Sequence, residues 1–241
     1  MRIVKNKKGQ FIVIAVMMIA IMIISLGAIM YSTGTYYRSE QWEEYVTLVE
    51  HVRLNTIHLV QISLAEYTAS DNNSALAANL NQWQNDLRKS YPGYGIVLAY
   101  DLVQGTHQAY GTNIQYSQGL ATDWNKAVSH SAANTTLYLN VTSIGLAGYK
   151  FMATAFVRLA IIDVDISTNE ITVTVSEEDG MPITDLKKGS FKVDGLTPVG
   201  VTSNYDPQHI LVYTIKCENL PSSSVIVTVT DHRGIEVIAK N

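Results

Sequence analysis

The sequence predicts an α+β protein in three parts. These are a long N-terminal transmembrane and stalk helix, a helix-plus-antiparallel-sheet head, and a C-terminal Ig-like β-sandwich. Three observations carry that prediction. Residues 11–30 read FIVIAVMMIAIMIISLGAIM and contain no charge. Apolar residues then recur at helical spacing as far as Tyr67. From Asp163 onward, short alternating segments separated by turn residues replace any helical period. The expected divisions are a basic leader at 1–9, a membrane helix at 10–33, a head with its helical stalk at 34–162, and a sandwich at 163–241.

The apolar run comes first. At ~1.5 Å per residue it would cover ~30 Å, the hydrocarbon thickness of a bilayer. Arg2, Lys5, Lys7 and Lys8 precede it with no acid among them, whereas Arg38, Glu40, Glu43 and Glu44 follow it. By the positive-inside rule the N-terminus is expected to be cytoplasmic and the bulk of the chain extracellular, a single pass through the plasma membrane. A cleaved secretory signal has an apolar core of only ~7–15 residues and a small-x-small site. The segment MYSTGTYYRSEQW offers no such site, so the helix is expected to be retained.

Beyond it, Trp42, Tyr45, Val49, Val52, Ile57, Val60, Leu64 and Tyr67 form an apolar stripe, with Glu43, Glu50, Arg53 and Gln61 opposite. The polar run 69–74 breaks this helix. A second amphipathic helix is expected at about 75–89, carrying Leu76, Leu80, Trp83 and Leu87 on one side, and Tyr91-Pro92-Gly93 ends it. Strands are expected at 95–103, 108–117, 135–143 and 149–161, with a short helix near 122–130. The stretch 149–162 is read as a buried strand because Lys150, Arg158 and Asp163 interrupt it and its β-favouring residues are many. After 163, segments at 163–166, 171–175, 191–193, 210–217, 225–229 and 235–238 alternate, and four of the five prolines fall between them.

Composition narrows the function classes. The chain carries 17 Lys and Arg against 21 Asp and Glu, and four of those bases precede residue 10. The acidic remainder argues against nucleic acid as a partner. Cys217 is the sole cysteine, which excludes an intramolecular disulfide and a thiolate metal cluster. Of the aromatic residues 14 are Tyr, a side chain suited to wet interfaces. Asn-x-Ser/Thr sequons occur at Asn72, Asn134 and Asn140, candidate glycosylation positions on the expected outer side.

Catalytic and metal-binding patterns are few. No phosphate-binding Gly-rich loop, G-x-S-x-G elbow or H-E-x-x-H occurs. His51 and His58 stand two helical turns apart, ~10 Å along the axis, too far to share an ion. Asp163 with Asp165, and the turn Glu177-Glu178-Asp179, could be read as a calcium site, but acidic turns are far more often solvated. Cys217 alternates with Leu211, Tyr213 and Ile215 and reads as a core residue. No cofactor, metal or catalytic constellation is expected, and the chain reads as non-enzymatic.

Lys7-Lys8-Gly9-Gln10, directly before the apolar helix, resembles the class III (prepilin-type) signal sequence of archaeal type IV pilin-like proteins. The resemblance covers about 30 residues and the layout of a long helix feeding a β-rich head. It implies cleavage between Gly9 and Gln10 by a prepilin peptidase, with the helix surviving because the cut lies before it. It departs from the family pattern at Ile14, where many pilins carry Glu. The function so implied is a pilin-like structural subunit of a surface filament or adhesin, whose partners are the membrane, the peptidase and copies of itself or other pilins. The alternative is a stably anchored surface protein whose Ig-like domain recognises a protein or glycan and never polymerises.

Overall fold

The structure, a computed structural model, describes the backbone of residues 7–221 and 224–241, and the side chains of 16–32, 43–221 and 224–241. Helix α1 runs Lys7–Ser70 and helix α2 Ala75–Ser90. The strands are β1 (Ile96–Leu102), β2 (Gly105–Ala109), β3 (Thr112–Tyr116), β4 (Leu120–Asp123), β5 (Val128–Val141), β6 (Leu146–Asp165), β7 (Glu170–Ser176), β8 (Phe191–Val193), β9 (Gly200–Tyr205), β10 (Leu211–Lys216), β11 (Ile226–Thr230) and β12 (Glu236–Lys240). The chain divides into two compact units, Met1–Val52 and Arg53–Asn241.

Three expectations are corrected here. Among the described residues no helix is long and apolar enough to cross a membrane. The apolar stretch whose side chains are described, residues 16–32, amounts to only ~25 Å of helix. That finding overturns the transmembrane helix, and with it the single-pass plasma-membrane placement and the cytoplasmic N-terminus. The long N-terminal stalk is likewise corrected. From Arg53 onward α1 belongs to the compact second unit, which is mainly sheet. Finally, the 162/163 boundary falls inside β6, a strand of 20 residues, so the last third does not start a new sheet there.

The second unit is built on one large antiparallel sheet in the order β1-β5-β6-β7-β10-β9, with β4 also pairing with β5. Apolar residues at alternate positions line its inner face. Leu137, Leu139 and Val141 of β5 lie on it beside Phe151, Ala153, Val157 and Leu159 of β6, and all are buried. Ile171, Val173 and Val175 of β7 and Tyr213 and Ile215 of β10 continue it. These residues on both sides of position 163 share one core, so β7, β9 and β10 of the last third extend the head's own sheet, while β8, β11 and β12 form a second one.

Two layers cover that face. Helix α2 lies on β1, presenting Leu76, Leu80 and Leu87. Gln84 of the same helix donates its side-chain N–H to the carbonyl of Leu98, so the helix bonds the backbone of β1 directly. A small sheet, β12-β11-β8, lies against β5 and β6 through β12 and brings Phe191 to 5.3 Å from the ring of Tyr213. Three hydroxyls on α1 replace apolar residues in its buried stripe beside Val60 and Leu64. Trp83 Nε1 donates to Thr56 Oγ1 at 3.0 Å, and Asn79 Nδ2 to Ser63 Oγ at 3.0 Å. The Glu236 N–H donates to Thr68 Oγ1 at 3.1 Å, tying α1 to β12.

The stretch expected as one strand at 108–117 is a hairpin. Tyr110 (φ 51°) and Gly111 (φ 73°) make its two-residue turn, both left-handed as a type I′ turn requires. The short helix expected at 122–130 is instead β4 followed by the start of β5. Gly119 (φ +76°) lets the chain pass under β5, donating its N–H to Val103 O and accepting from Asn134 N. A Cβ there would meet Asn134 O at 2.9 Å and Leu76 Cδ2 at 2.8 Å, so only glycine fits.

Candidate functional site

Within the first unit the described side chains of residues 16–32 are exposed on every side of the helix. Ile24 is 71% exposed, Met22 and Met30 are 70%, and Val16, Ile19, Ile21, Leu26 and Ile29 are close behind. Steps of 100° per residue spread these eight side chains around the whole cylinder. A helix apolar all round is normally buried by its surroundings. The hydroxyl in the middle of the segment, Ser25 Oγ, donates to Ile21 O at 2.8 Å and so is satisfied within the helix itself. At Gly27 nothing lies within 4 Å of where a Cβ would stand. Among the described residues no packing contact calls for glycine there, although glycine costs a helix interior ~1 kcal/mol relative to alanine. Such a surface, aliphatic and Met side chains almost throughout from Val16 to Met30, is suited to packing against other apolar groups.

Lys7, Lys8, Gly9 and Gln10 fall in the first turn of α1, but their side chains lie outside the described residues, as does that of Ile14. The three sequons sit in different environments. Asn72 is in the loop between the helices, where its Oδ1 accepts from Ser74 N and Oγ and its Nδ2 donates to Glu66. Asn134 is half-buried in the middle of β5, with its Oδ1 buried and without a hydrogen bond. Asn140 Oδ1 accepts from the Gly148 N–H at 2.6 Å across the β5–β6 connection. Only Asn72 stands in a loop of the kind an acceptor needs.

Of the acidic groups singled out in the sequence, Asp165, Glu177 and Glu178 have partners within the fold, and Asp163 and Asp179 are exposed. Asp165 Oδ1 accepts from Ser167 N and Oγ and from Thr168 N, and these hydrogen bonds hold its carboxyl below its ordinary pKa. Among the described residues no three His, Cys, Asp or Glu side chains come together to hold a metal. His51 and His58 are both exposed on α1. Cys217 is buried, and burial raises its thiol pKa, which keeps it protonated.

Two polar clusters were not legible in the sequence. Under the β2–β3 hairpin, on the outer face of the large sheet, Phe156 is stacked against Tyr110 (4.3 Å between centroids) and His130 (5.9 Å). His130 is 3% exposed and its Nε2 makes no hydrogen bond. Burial lowers its pKa; Asp123 opposes that shift, while Lys126 and Arg158 add to it. Tyr116 closes the same cluster, and its phenol is pushed up to about 12 by burial and by Tyr110.

The second cluster centres on Arg233, whose side chain is 8% exposed. Its Nε donates to Asp231 Oδ2 at 2.7 Å and its Nη1 to Glu178 Oε1 at 2.9 Å, with Glu177 at 3.8 Å from Nη2. Asp231 is fully buried and its Oδ1 also accepts the N–H groups of Arg233 and Ile235. Every charge in this cluster has a partner, so the arrangement fastens the fold and has no chemistry left to offer a substrate. A cleft of about 680 Å³ lies between the β8–β9 and β10–β11 connections, lined by Asp194, Leu196, Pro198, Cys217 and Glu218 among others, and it gathers no catalytic pair. No family model, curated protein or solved structure matches the chain.

Proposed function

We propose that the protein is a structural, non-enzymatic subunit that assembles with copies of itself through the apolar segment of α1, in the manner of pilin-like proteins. The observation that supports this reading is the exposure of apolar side chains all round residues 16–32, with open space about Gly27. Packed against identical helices, those side chains lose their contact with water. Glycine then serves a purpose the lone chain does not supply, since small residues let helix backbones approach closely. Burying a side chain such as Ile24 or Met22 is worth roughly 1.5–3 kcal/mol, so a handful of such contacts per neighbour holds an assembly together.

Cleavage between Gly9 and Gln10 by a prepilin peptidase belongs to the same reading. It removes Arg2, Lys5, Lys7 and Lys8, whose like charges would otherwise be brought together in a bundle of parallel helices. Intact-mass measurement of the protein from its native cell tests that step. A chain beginning at Gln10 supports it, and a chain retaining the leader contradicts it.

A further inference from the structure

The large sheet has two ends, and they are treated differently. At β1 the side chain of Gln84 bonds the backbone of the strand. In the small sheet the outer edge of β12 is satisfied. Thr68 accepts from Glu236 N, Ser131 donates to Glu236 O, Asn125 N donates to Ile238 O, and Lys240 N donates to Lys126 O. At the far end of the large sheet β9 pairs with β10 on one side. Among the described residues nothing pairs with its other side. Thr202, Ser203, Asn204 and Tyr205 are all exposed, on both faces of the strand.

Natural edge strands are usually blunted by lysine, proline, an inward charge or a bulge. β9 reads GVTSNY and has none of the first three, and its register against β10 is unbroken from Gly200 to Tyr205. We propose that β9 pairs antiparallel with β9 of a second copy, centred on Ser203, so that two large sheets join into one. Centring on Ser203 sets Tyr205 opposite Val201 and Thr202 opposite Asn204, an aromatic–β-branched pair and a polar pair that antiparallel strands favour. The two copies of Asp206, the nearest charge on the strand's own path, then stand ~20 Å apart along the joined strands. That is beyond the ~8–10 Å over which exposed charges act at ordinary salt. A foreign peptide is the poorer occupant. Sheet-edge recognition of a peptide draws its selectivity from pockets for alternate side chains, and a strand exposed on both faces has none. The contact involves no residue of the apolar segment of α1 and adds a second interface to the proposed assembly, on whose reading it does not depend.

Disulfide trapping in the full-length chain tests it. Antiparallel partners directly opposite lie ~4.5–5.5 Å apart at Cα, within disulfide range. Ser203→Cys should therefore form covalent dimers under mild oxidation at least tenfold faster than Gln108→Cys on the exposed β2–β3 hairpin. The wild-type chain, with only buried Cys217, gives the background. Adding Thr202→Lys and Asn204→Lys to Ser203→Cys should abolish trapping. Mixing that variant with one carrying Ser203→Cys, Thr202→Glu and Asn204→Glu should restore it as a heterodimer. Trapping no faster than in the hairpin control, or trapping indifferent to these charges, overturns the proposal. The Gly27→Leu background separates the two interfaces: trapping at Ser203 that persists there while helix-driven assembly is lost belongs to β9 alone.

Discussion

The backbone N–H of Phe156 donates to Glu178 Oε1 at 2.8 Å, while the carbonyl of the same residue accepts from Arg233 Nη2 at 3.2 Å. Strand β7 stops pairing with β6 at Ser176, opposite Arg158. Phe156, two residues further along, would otherwise have its outward N–H and C=O buried without a strand beside them. The two side chains take the place of the missing strand. They also join the turn after β7 to the turn before β12, which are distant in sequence and not paired in either sheet.

Arg233→Ala should therefore be among the most destabilising substitutions in the chain. It leaves Asp231 buried without its cation and Phe156 O without a donor, a loss of roughly 3–5 kcal/mol. Glu178→Gln keeps the shape and one acceptor and should cost less, about 1–3 kcal/mol. Urea unfolding of the two variants checks the order; equal and small losses would mean that the cluster is solvated.

Stability should fall on acidification between pH 7.5 and 5 through His130. Burial lowers its folded pKa below the ordinary 6.5, so the unfolded chain binds a proton over a range in which the folded chain does not. The contribution is complete above pH 6.5 and is lost as pH falls toward the folded value. In His130→Leu the difference between urea midpoints at pH 7.5 and 5 should shrink. An unchanged difference would place the acid sensitivity elsewhere.

Tyr116 gives the opposite dependence. Its phenol is pushed up to about 12 in the fold from the ordinary 10.0, so its contribution is whole below pH 10 and is lost as pH rises toward 12. The alkaline loss is on the order of 2–3 kcal/mol. Tyr116→Phe should unfold at a pH closer to 12 than the wild type, read by circular dichroism during an alkaline titration.

Gly119→Ala should destabilise by roughly 2–4 kcal/mol, combining left-handed strain with a clash against the Asn134 carbonyl. Gly105→Ala, also at positive φ but with open space around its Cβ, carries the strain alone and should cost about half as much. Thermal melts of the pair separate the two contributions.

Local patterns were read well where one face is apolar and the period is plain. The alternation in β5, β7, β10 and β11, and Leu76, Leu80 and Leu87 on α2, are visible in the sequence for that reason. The path between them was not. β6 runs through the texture change at 163 because its inner-face residues Val157, Leu159 and Ile161 belong to the same core as β7. β9 escaped notice because GVTSNY has no apolar alternation, being exposed on both faces. The buried hydroxyls of Thr56, Ser63 and Thr68 look polar in sequence, and only their partners Trp83, Asn79 and Glu236 reveal them as core positions. The Arg233 cluster joins two acidic turns 55 residues apart, a proximity that no local pattern announces. Its one sequence signal was an arginine inside the turn Asp231-His232-Arg233-Gly234.

The central claim, self-assembly through the apolar segment of α1, is tested most directly at Gly27. In the single helix Gly27→Leu adds helix propensity and meets no neighbour, so it should leave the fold intact and slightly favour the helix. Between closely packed helices the same leucine forces the backbones apart. Sedimentation of the full-length protein, wild type against Gly27→Leu, should show an assembled wild type and a variant shifted toward the monomer, with unchanged circular dichroism. A wild type that sediments as a monomer, or a variant assembled to the same extent, would contradict the account.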